Sequence, residues 1–407
     1  MTALLAAKPE TRCTEQLLWR TEILTGADGS EQRRAYRTVP RQRLQYRYAA
    51  ANDSEASKLE AQLYAGLKTA WYVPLWPQQV LHTGALSAGA TTLTIDTTAG
   101  DFRSSGSVLI WQDAETYELA TVSAKADASL TVAAIGNSYS GRFYVVPVRS
   151  GYLRQIVPTT RYPSGALTLD MTFETTDNLR CTNHTADQTV DNTEVVTTPA
   201  YWTGAAANLS HDPDVIWLDS LNGALAIAAV SDYPITLQPH RFIATDRAAA
   251  WSLRQRLHAW YGRQKSFFVP TFRRDFRLTR AVGTTDTEIY VADRDFATHY
   301  GAQRYRCYVA FRSDGGTDLT VRRITAITAV GSGEEKLTLA SAAGTAFATN
   351  ALCCWVDRCR LASDTVTLDW YLPGRCLCDV QLVRLPSWGD VYGSGIYGEG
   401  IYGGAAG

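Results

Sequence analysis

Apolar and polar residues alternate along much of this chain, and twice the alternation gives way to a helical period. Arg43-Leu44-Gln45-Tyr46-Arg47-Tyr48 alternates strictly and predicts a strand with Leu44, Tyr46 and Tyr48 on one face. The period then lengthens: Leu59, Leu63 and Leu67 recur every fourth residue, the stripe of a helix that Asp53 or Ser54 can cap. Further along, Ile235-Thr236-Leu237 predicts a strand, Thr245 or Asp246 a cap, and Leu253, Leu257 and Trp260 or Tyr261 a second stripe.

Other segments return in the same order. Val73-Pro74-Leu75-Trp76 reappears as Val269-Pro270-Thr271-Phe272, and Asp101-Phe102 as Asp295-Phe296. Leu130-Thr131-Val132 reappears as Leu337-Thr338-Leu339, and Thr168-Leu169-Asp170 as Thr367-Leu368-Asp369. Kept order with slightly drifting spacing is the mark of a duplicated domain.

Short strands punctuated by turn residues follow each Val-Pro segment: 92–95, 107–111, 118–122 and 130–132 in the first half, 288–291, 308–311, 323–327 and 337–339 in the second. Each half closes with one more alternating strand, 166–173 or 365–371. We therefore expect a mainly β protein with one short helix per half, in which two β-sandwich or barrel-like domains each carry an inserted small β-barrel. Residues 1–83 with 149–180 form the first strand-helix domain and 84–148 its insertion. Residues 181–212, within a Thr-, Asn-, Asp- and Ala-rich stretch, form an extended or partly ordered connector. Residues 213–275 with 360–386 form the second domain, 276–359 its insertion, and 387–407 a Gly/Tyr-rich tail. Tyr392, Tyr397 and Tyr402 recur in that tail every five residues, and we expect them to dock on another surface.

Length agrees with two or more cores, since 407 residues exceed what one hydrophobic core holds. The 39 basic and 40 acidic residues balance, which removes the field behind nonspecific nucleic-acid binding. Met1 to Ala7 lacks the basic and apolar regions of a signal peptide, and no apolar run approaches a membrane span, so we expect a soluble product made in a cytoplasm.

Candidate chemistry is sparse. Gly393-Ser-Gly-Ile-Tyr-Gly398 fits a dinucleotide fingerprint but has no helix to follow it, and phosphate-loop, nucleophile-elbow and zinc-protease motifs are absent. His211-Asp212-Pro213-Asp214 and Asp293-Arg294-Asp295 read as turns. Asp170 and Asp369, in repeated triplets, suggest the carboxylate pair of a glycosidase, but they belong to different halves and we expect no convergence. Cys353, Cys354, Cys359, Cys376 and Cys378 crowd the second half, and match no standard site spacing. We expect buried reduced thiols; an iron-sulfur or zinc site and a disulfide are the alternatives. No catalytic residue, cofactor or enzyme activity is assigned.

The repeated strand-helix unit, the inserted β-domain and the Gly-Tyr tail together resemble tail-tip proteins of long-tailed bacteriophages, of the distal tail or baseplate-hub class. Arg33-Arg34-Ala35-Tyr36-Arg37, Pro40-Arg41-Gln42-Arg43-Leu44 and Phe267-Phe268-Val269-Pro270 carry the resemblance, which covers most of residues 15 to 386. It implies duplicated tail-tube-type domains in a virion structural protein of the tail tip, assembled in the host bacterial cytoplasm, that joins the tail tube to hub, fibre or receptor-binding proteins. Such a tube is six-fold, so the duplication implies a homo-oligomeric ring of three chains with pseudo-six-fold symmetry, the rival being a hexamer. Some proteins of this broad group hold an iron-sulfur cluster in a Cys-rich end, which keeps the cluster alternative open. The competing reading is a carbohydrate-binding or carbohydrate-cleaving tail module that stacks exposed Trp and Tyr on sugar rings.

Overall fold

The computed structural model describes residues 3–5, 7–26, 31–181, 183–200, 209–221, 223, 225–229, 235–301 and 306–386. The fold is mainly β, with half its residues in strands. In the first half, β1 (Ala3–Leu4), β2 (Cys13–Leu18), the β3–β4 hairpin (Thr21–Thr25 and Glu31–Ala35) and β5 (Arg41–Ala50) lead into α1 (Asp53–Gly66) and β6 (Trp71–Pro74). An inserted unit follows, built from β7 (Val80–Leu86), β8 (Thr92–Thr94), β9 (Ser107–Trp111), β10 (Tyr117–Ala126) and β11 (Ser129–Val132). The long β12 (Tyr139–Leu153) leaves that unit, and β13 (Thr159–Arg161) and β14 (Leu167–Thr175) close the half.

A small hairpin, β15 (Thr189–Val190) and β16 (Thr193–Glu194), lies in the connector. The second half starts with β17 (Ser210–Asp212), the β18–β19 hairpin (Val215–Asp219 and Leu225–Ala229) and β20 (Ile235–Ala244). Next come α2 (Arg247–Trp260), β21 (Phe267–Pro270) and an inserted unit of β22 (Glu288–Ala292), α3 (Phe296–Tyr300), β23 (Tyr308–Arg312), β24 (Thr320–Gly331) and β25 (Glu334–Leu339). It ends with β26 (Leu352–Leu361), β27 (Thr365–Leu372) and β28 (Arg375–Leu385). From the first hairpin through the helix, element bounds in the two halves stand 194 residues apart (21 to 215, 31 to 225, 41 to 235, 53 to 247).

One antiparallel sheet crosses both halves in the order β13, β14, β5, β2, β27, β28, β20, β17. The alternation in β5 explains its place there: Leu44, Tyr46, Tyr48 and Ala50 turn to a dry face, with Arg43, Gln45 and Arg47 on the opposite one. Leu169, Leu17, Leu368, Trp370, Cys376 and Phe242 extend that dry face across the sheet, and α1 and α2 cover it with Leu59, Leu63, Leu253 and Leu257. These residues form a single core, and removing any one of the leucines to Ala costs roughly 2–5 kcal/mol.

Each inserted unit has its own core, one around Phe102, Ile110, Leu130 and Phe143, the other around Phe276, Phe296, Val309 and Leu337. Neither is separable at a clean boundary. β12 pairs with β7 and β9 of the insertion and then with β6 and β14 of the main body, and β26 likewise pairs with β23, β21 and β28.

Side chains compensate between the halves where helix meets strand. A Cβ on Gly66 would lie 1.9 Å from the Trp71 indole, whose Nε1 donates to the Gly66 carbonyl at 2.8 Å. At the corresponding place α2 ends in Trp260 and the strand begins with the smaller Phe267, their rings stacked at 3.9 Å.

The structure corrects several expectations. Asn52, not Asp53 or Ser54, caps α1, accepting from the Glu55 backbone N–H at 3.0 Å, because Asp53 is already helical. Of the two residues expected to cap α2, Asp246 does so, accepting from the Ala249 N–H at 2.8 Å. A third helix, α3, joins the expected one per half. The second half closes with two strands rather than one: β28 was hidden in a Cys-rich stretch, yet Cys376, Cys378, Val380 and Leu382 alternate inward as small apolar strand residues do. The repeated triplets at 168–170 and 367–369 lie on strands with different neighbours, β14 beside β5 and β27 between β2 and β28. The connector is more ordered than its composition suggests, since Val195 and Val196 are fully buried and the Val196 N–H donates to the Phe268 carbonyl at 2.8 Å.

Candidate functional site

The sheet joint between the halves is held by buried charge. Alternation along β2 turns Glu15 to the dry face, where a bare carboxylate would cost several kcal/mol. Three partners satisfy it, each from a different element. Gln42 Nε2 of β5 donates to Oε1 at 2.9 Å, Trp370 Nε1 of β27 to Oε2 at 3.1 Å, and Arg254 of α2 forms a close ion pair. Burial lowers the pKa of Arg254, but Glu15 outweighs it and holds the guanidinium above its ordinary value.

The β3–β4 hairpin strengthens the same joint by lying on the second half. Arg360 Nη2 and Nε, from β26, donate to Glu31 Oε1 and Oε2 at 2.7 and 2.8 Å. Arg33 Nη1 donates to the Gln264 carbonyl at 2.9 Å, and Thr21 donates through N and Oγ1 to Asp364 at 2.6 and 2.9 Å. Arg263 Nη2 donates to the Thr21 carbonyl at 2.6 Å. Gly262 is required here: its φ of +64° suits glycine, and a Cβ would meet Asp364 Oδ1 at 2.5 Å.

The opposite face of the sheet is polar and wet. Arg47 faces Asp170 across β5 and β14, Arg241 faces Asp379 across β20 and β28, and Thr14 faces Asp369 across β2 and β27. Asp170, Asp369 and Asp379 all line one groove of about 450 Å³ with Arg12, Arg47 and Arg241. Asp170 and Asp369 therefore share a surface, contrary to the expectation that different halves would keep them apart. The joint β2·β27 places the two strands in one sheet, which neither half reveals alone. Their surroundings are those of paired surface charges: Arg241 grips Asp379 with two nitrogens, and Thr14 Oγ1 donates to Asp369 at 3.4 Å. Farther along the same face, Glu174 gathers Arg41, Arg43 and Arg154 at 3.5, 3.6 and 2.5 Å.

The five clustered cysteines are buried in three separate cores. Cys353 belongs to the second inserted unit, Cys354 to a small cluster with Phe268 and Tyr308, and Cys359, Cys376 and Cys378 to the shared core. Burial pushes the thiols of Cys354 and Cys376 up to about 12 and raises the other three as well. Among the described residues no three His, Cys, Asp or Glu side chains gather as a metal site would require. Tyr392, Tyr397 and Tyr402 lie outside the described residues.

Sequence reasoning missed both hairpins and the charges at the joint. The signal for the hairpins was present: Asp28-Gly29 and Asn222-Gly223 are turn-favouring dipeptides, again 194 residues apart (28 to 222, 29 to 223). No helix among the described residues is long and apolar enough to cross a membrane. The chain matches no protein-family model, and a search of curated proteins finds no match.

Proposed function

We propose that this chain is a structural component of the tail tip of a long-tailed bacteriophage, where three copies close into a ring that joins the tail tube to hub or receptor-binding proteins. The observation that carries this reading is the unfinished sheet. In strand order the first half contributes β13, β14, β5 and β2, and the second contributes β27, β28, β20 and β17. Where they meet, β2 pairs with β27. By position β17 is the counterpart of β2, and β13 of β27, so the two outer edges are the halves of the same joint. Repeating that joint between chains would pair β17 of one copy with β13 of the next, a ring of three copies holds six near-equivalent halves, and closure removes outer edges that invite aggregation.

The constant 194-residue spacing from hairpin to helix supports a tandem duplication. In the ring, the helix-covered face points outward and the polar face of β5, β14, β20 and β28 lines the channel. Two Arg–Asp pairs neutralise each other across its strands, Arg47 with Asp170 and Arg241 with Asp379, while Glu174 is shared by three arginines. The protein is assembled in the bacterial cytoplasm, carries no turnover of its own, and makes its partnerships with neighbouring tail proteins.

Native mass spectrometry of the purified protein tests the ring, with three chains expected; six chains or a persistent monomer refutes it. Antibody labelling of intact virions tests the location. Label at the tail end is expected, and label confined to the capsid removes the reading. Polysaccharide hydrolysis abolished by Asp170→Asn or Asp369→Asn would replace it with a carbohydrate-cleaving module.

A further inference from the structure

The β18–β19 hairpin bares apolar side chains that no described residue of its own chain covers. Trp217, Leu225 and Ile227 are 64%, 61% and 59% exposed, and a two-stranded hairpin has no core of its own. The first half also bares apolar side chains: Leu67, Tyr152 and Ile156 are 48%, 54% and 92% exposed.

The β3–β4 hairpin shows what such a hairpin docks on. With the 194-residue spacing, Thr21, Ile23, Glu31 and Arg33 correspond to Val215, Trp217, Leu225 and Ile227 (21 to 215, 33 to 227). The receiving residues correspond through strand register. Pro74 pairs with Val148 and Pro270 with Val356, so Arg360, four residues past Val356, matches Tyr152, and Asp364 matches Ile156. Leu67, the first residue past α1, stands where Tyr261 stands past α2, two residues before Arg263.

Both sides of the contact change character together. The Glu31–Arg360 ion pair has Leu225 and Tyr152 as its counterparts, and the Thr21–Asp364 hydrogen bond has Val215 and Ile156. A change on one side alone would bury an unpaired charge; the paired change keeps the two surfaces complementary. One chain cannot bring its own hairpin to its own copy of these residues. The hairpin leaves the sheet at β17 and Ile156 lies just before β13, seven strand gaps away, roughly 34 Å at about 4.8 Å each.

We infer that the β18–β19 hairpin of one copy seats Val215, Trp217, Leu225 and Ile227 on Leu67, Tyr152 and Ile156 of the next copy. This rests on the ring reading and names its subunit contact. The joint within the chain is polar and the joint between chains is apolar.

The test uses the full chain. Val215→Cys with Ile156→Cys should form a disulfide between chains and give dimers and trimers on a denaturing gel, with neither single variant doing so. Leu225→Glu should weaken association on the order of 100-fold, and adding Tyr152→Arg should restore it by rebuilding the Glu31–Arg360 pair between chains. Near-ultraviolet circular dichroism of Leu225→Glu should match wild type, which separates lost assembly from lost fold. If wild type forms a ring but Leu225→Glu keeps the same mass, or the Val215→Cys, Ile156→Cys variant never cross-links between chains, this contact is overturned and the ring stands. A wild-type monomer overturns both.

Discussion

The two hairpins occupy corresponding places, with two residues separating β3 from β2 and β18 from β17, and they meet water in opposite ways. β3–β4 buries Glu31 and Arg33 to 7% and 1% exposure against partners of its own chain, while β18–β19 leaves Leu225 and Ile227 more than half exposed. The difference follows from when each contact can form. Within one chain the partners arrive as folding proceeds, so a charge is paired as it is buried, and hydrogen-bond geometry fixes how the halves sit. A surface that must wait in solution for another copy gains from apolar area, because bare charges would have to shed their water on docking without a partner already held in place.

Breaking the polar joint should have the largest effect. Arg360→Met leaves Glu31 buried with its main partner gone, and Glu15→Leu does the same to Arg254, so each should cost about 3–5 kcal/mol in urea unfolding. The double replacements Glu31→Leu with Arg360→Met and Glu15→Leu with Arg254→Met should recover most of the loss. If a single variant unfolds no more easily than its double, the charges are not what holds the joint.

Acid should weaken the same region next. Burial lowers His240 to about 4 and His258 to about 3, and His258 accepts from the Cys181 N–H at 3.3 Å while packing against Trp19 of the first half. Both folded values lie below the unfolded 6.5, so the folded state resists protonation. Stability from these rings is complete above pH 6.5 and is lost as pH falls toward 4, by about 3 kcal/mol at most from His240. The urea midpoint followed from pH 7 to pH 4 should drop, and His240→Gln should flatten the drop; an unchanged slope would show that burial of this ring is not the cause.

The caps offer a control in which the halves should agree. Asn52→Ala and Asp246→Ala each remove one side-chain acceptor from a helix end and should each cost about 1 kcal/mol, read from thermal unfolding. A several-fold difference would show that the two helices contribute unequally. The smallest effect belongs to the apolar hairpin: Trp217→Ser should change the unfolding free energy of the separated chain by less than about 0.5 kcal/mol, because the indole is mostly in water. A larger loss would mean that the ring packs within its own chain.

Elements set by local pattern were legible from the residues. The alternation of β5 and the leucine pairs Leu59–Leu63 and Leu253–Leu257 hold because one face of each element must leave water, whereas Leu67, the expected third member of the first stripe, lies past the end of α1 and is 48% exposed. β28 is not legible from the residues because Cys376 and Cys378 stand where apolar strand residues would, and only packing shows that they alternate inward. The hairpins were overlooked although their turns were signalled, since their flanks are polar in β3–β4 and apolar on both faces in β18–β19, so neither alternates. Asp170 and Asp369 were kept apart because their shared surface depends on β2 pairing with a strand more than 350 residues away (14 to 369).

By itself the sequence determined the β-rich class, the two helices and their inward faces, and the recurrence of one ordered set of segments. Those properties follow from short-range spacing, where a period of two or of about 3.6 decides which side chains leave water together. Only the tertiary structure decided that the halves share one sheet, that Glu15 meets Arg254, that the cysteines divide among three cores, and that one hairpin is covered while the other is bare. Each of these depends on strand register between distant segments, and a slip of one residue would turn every side chain of a strand to the other face.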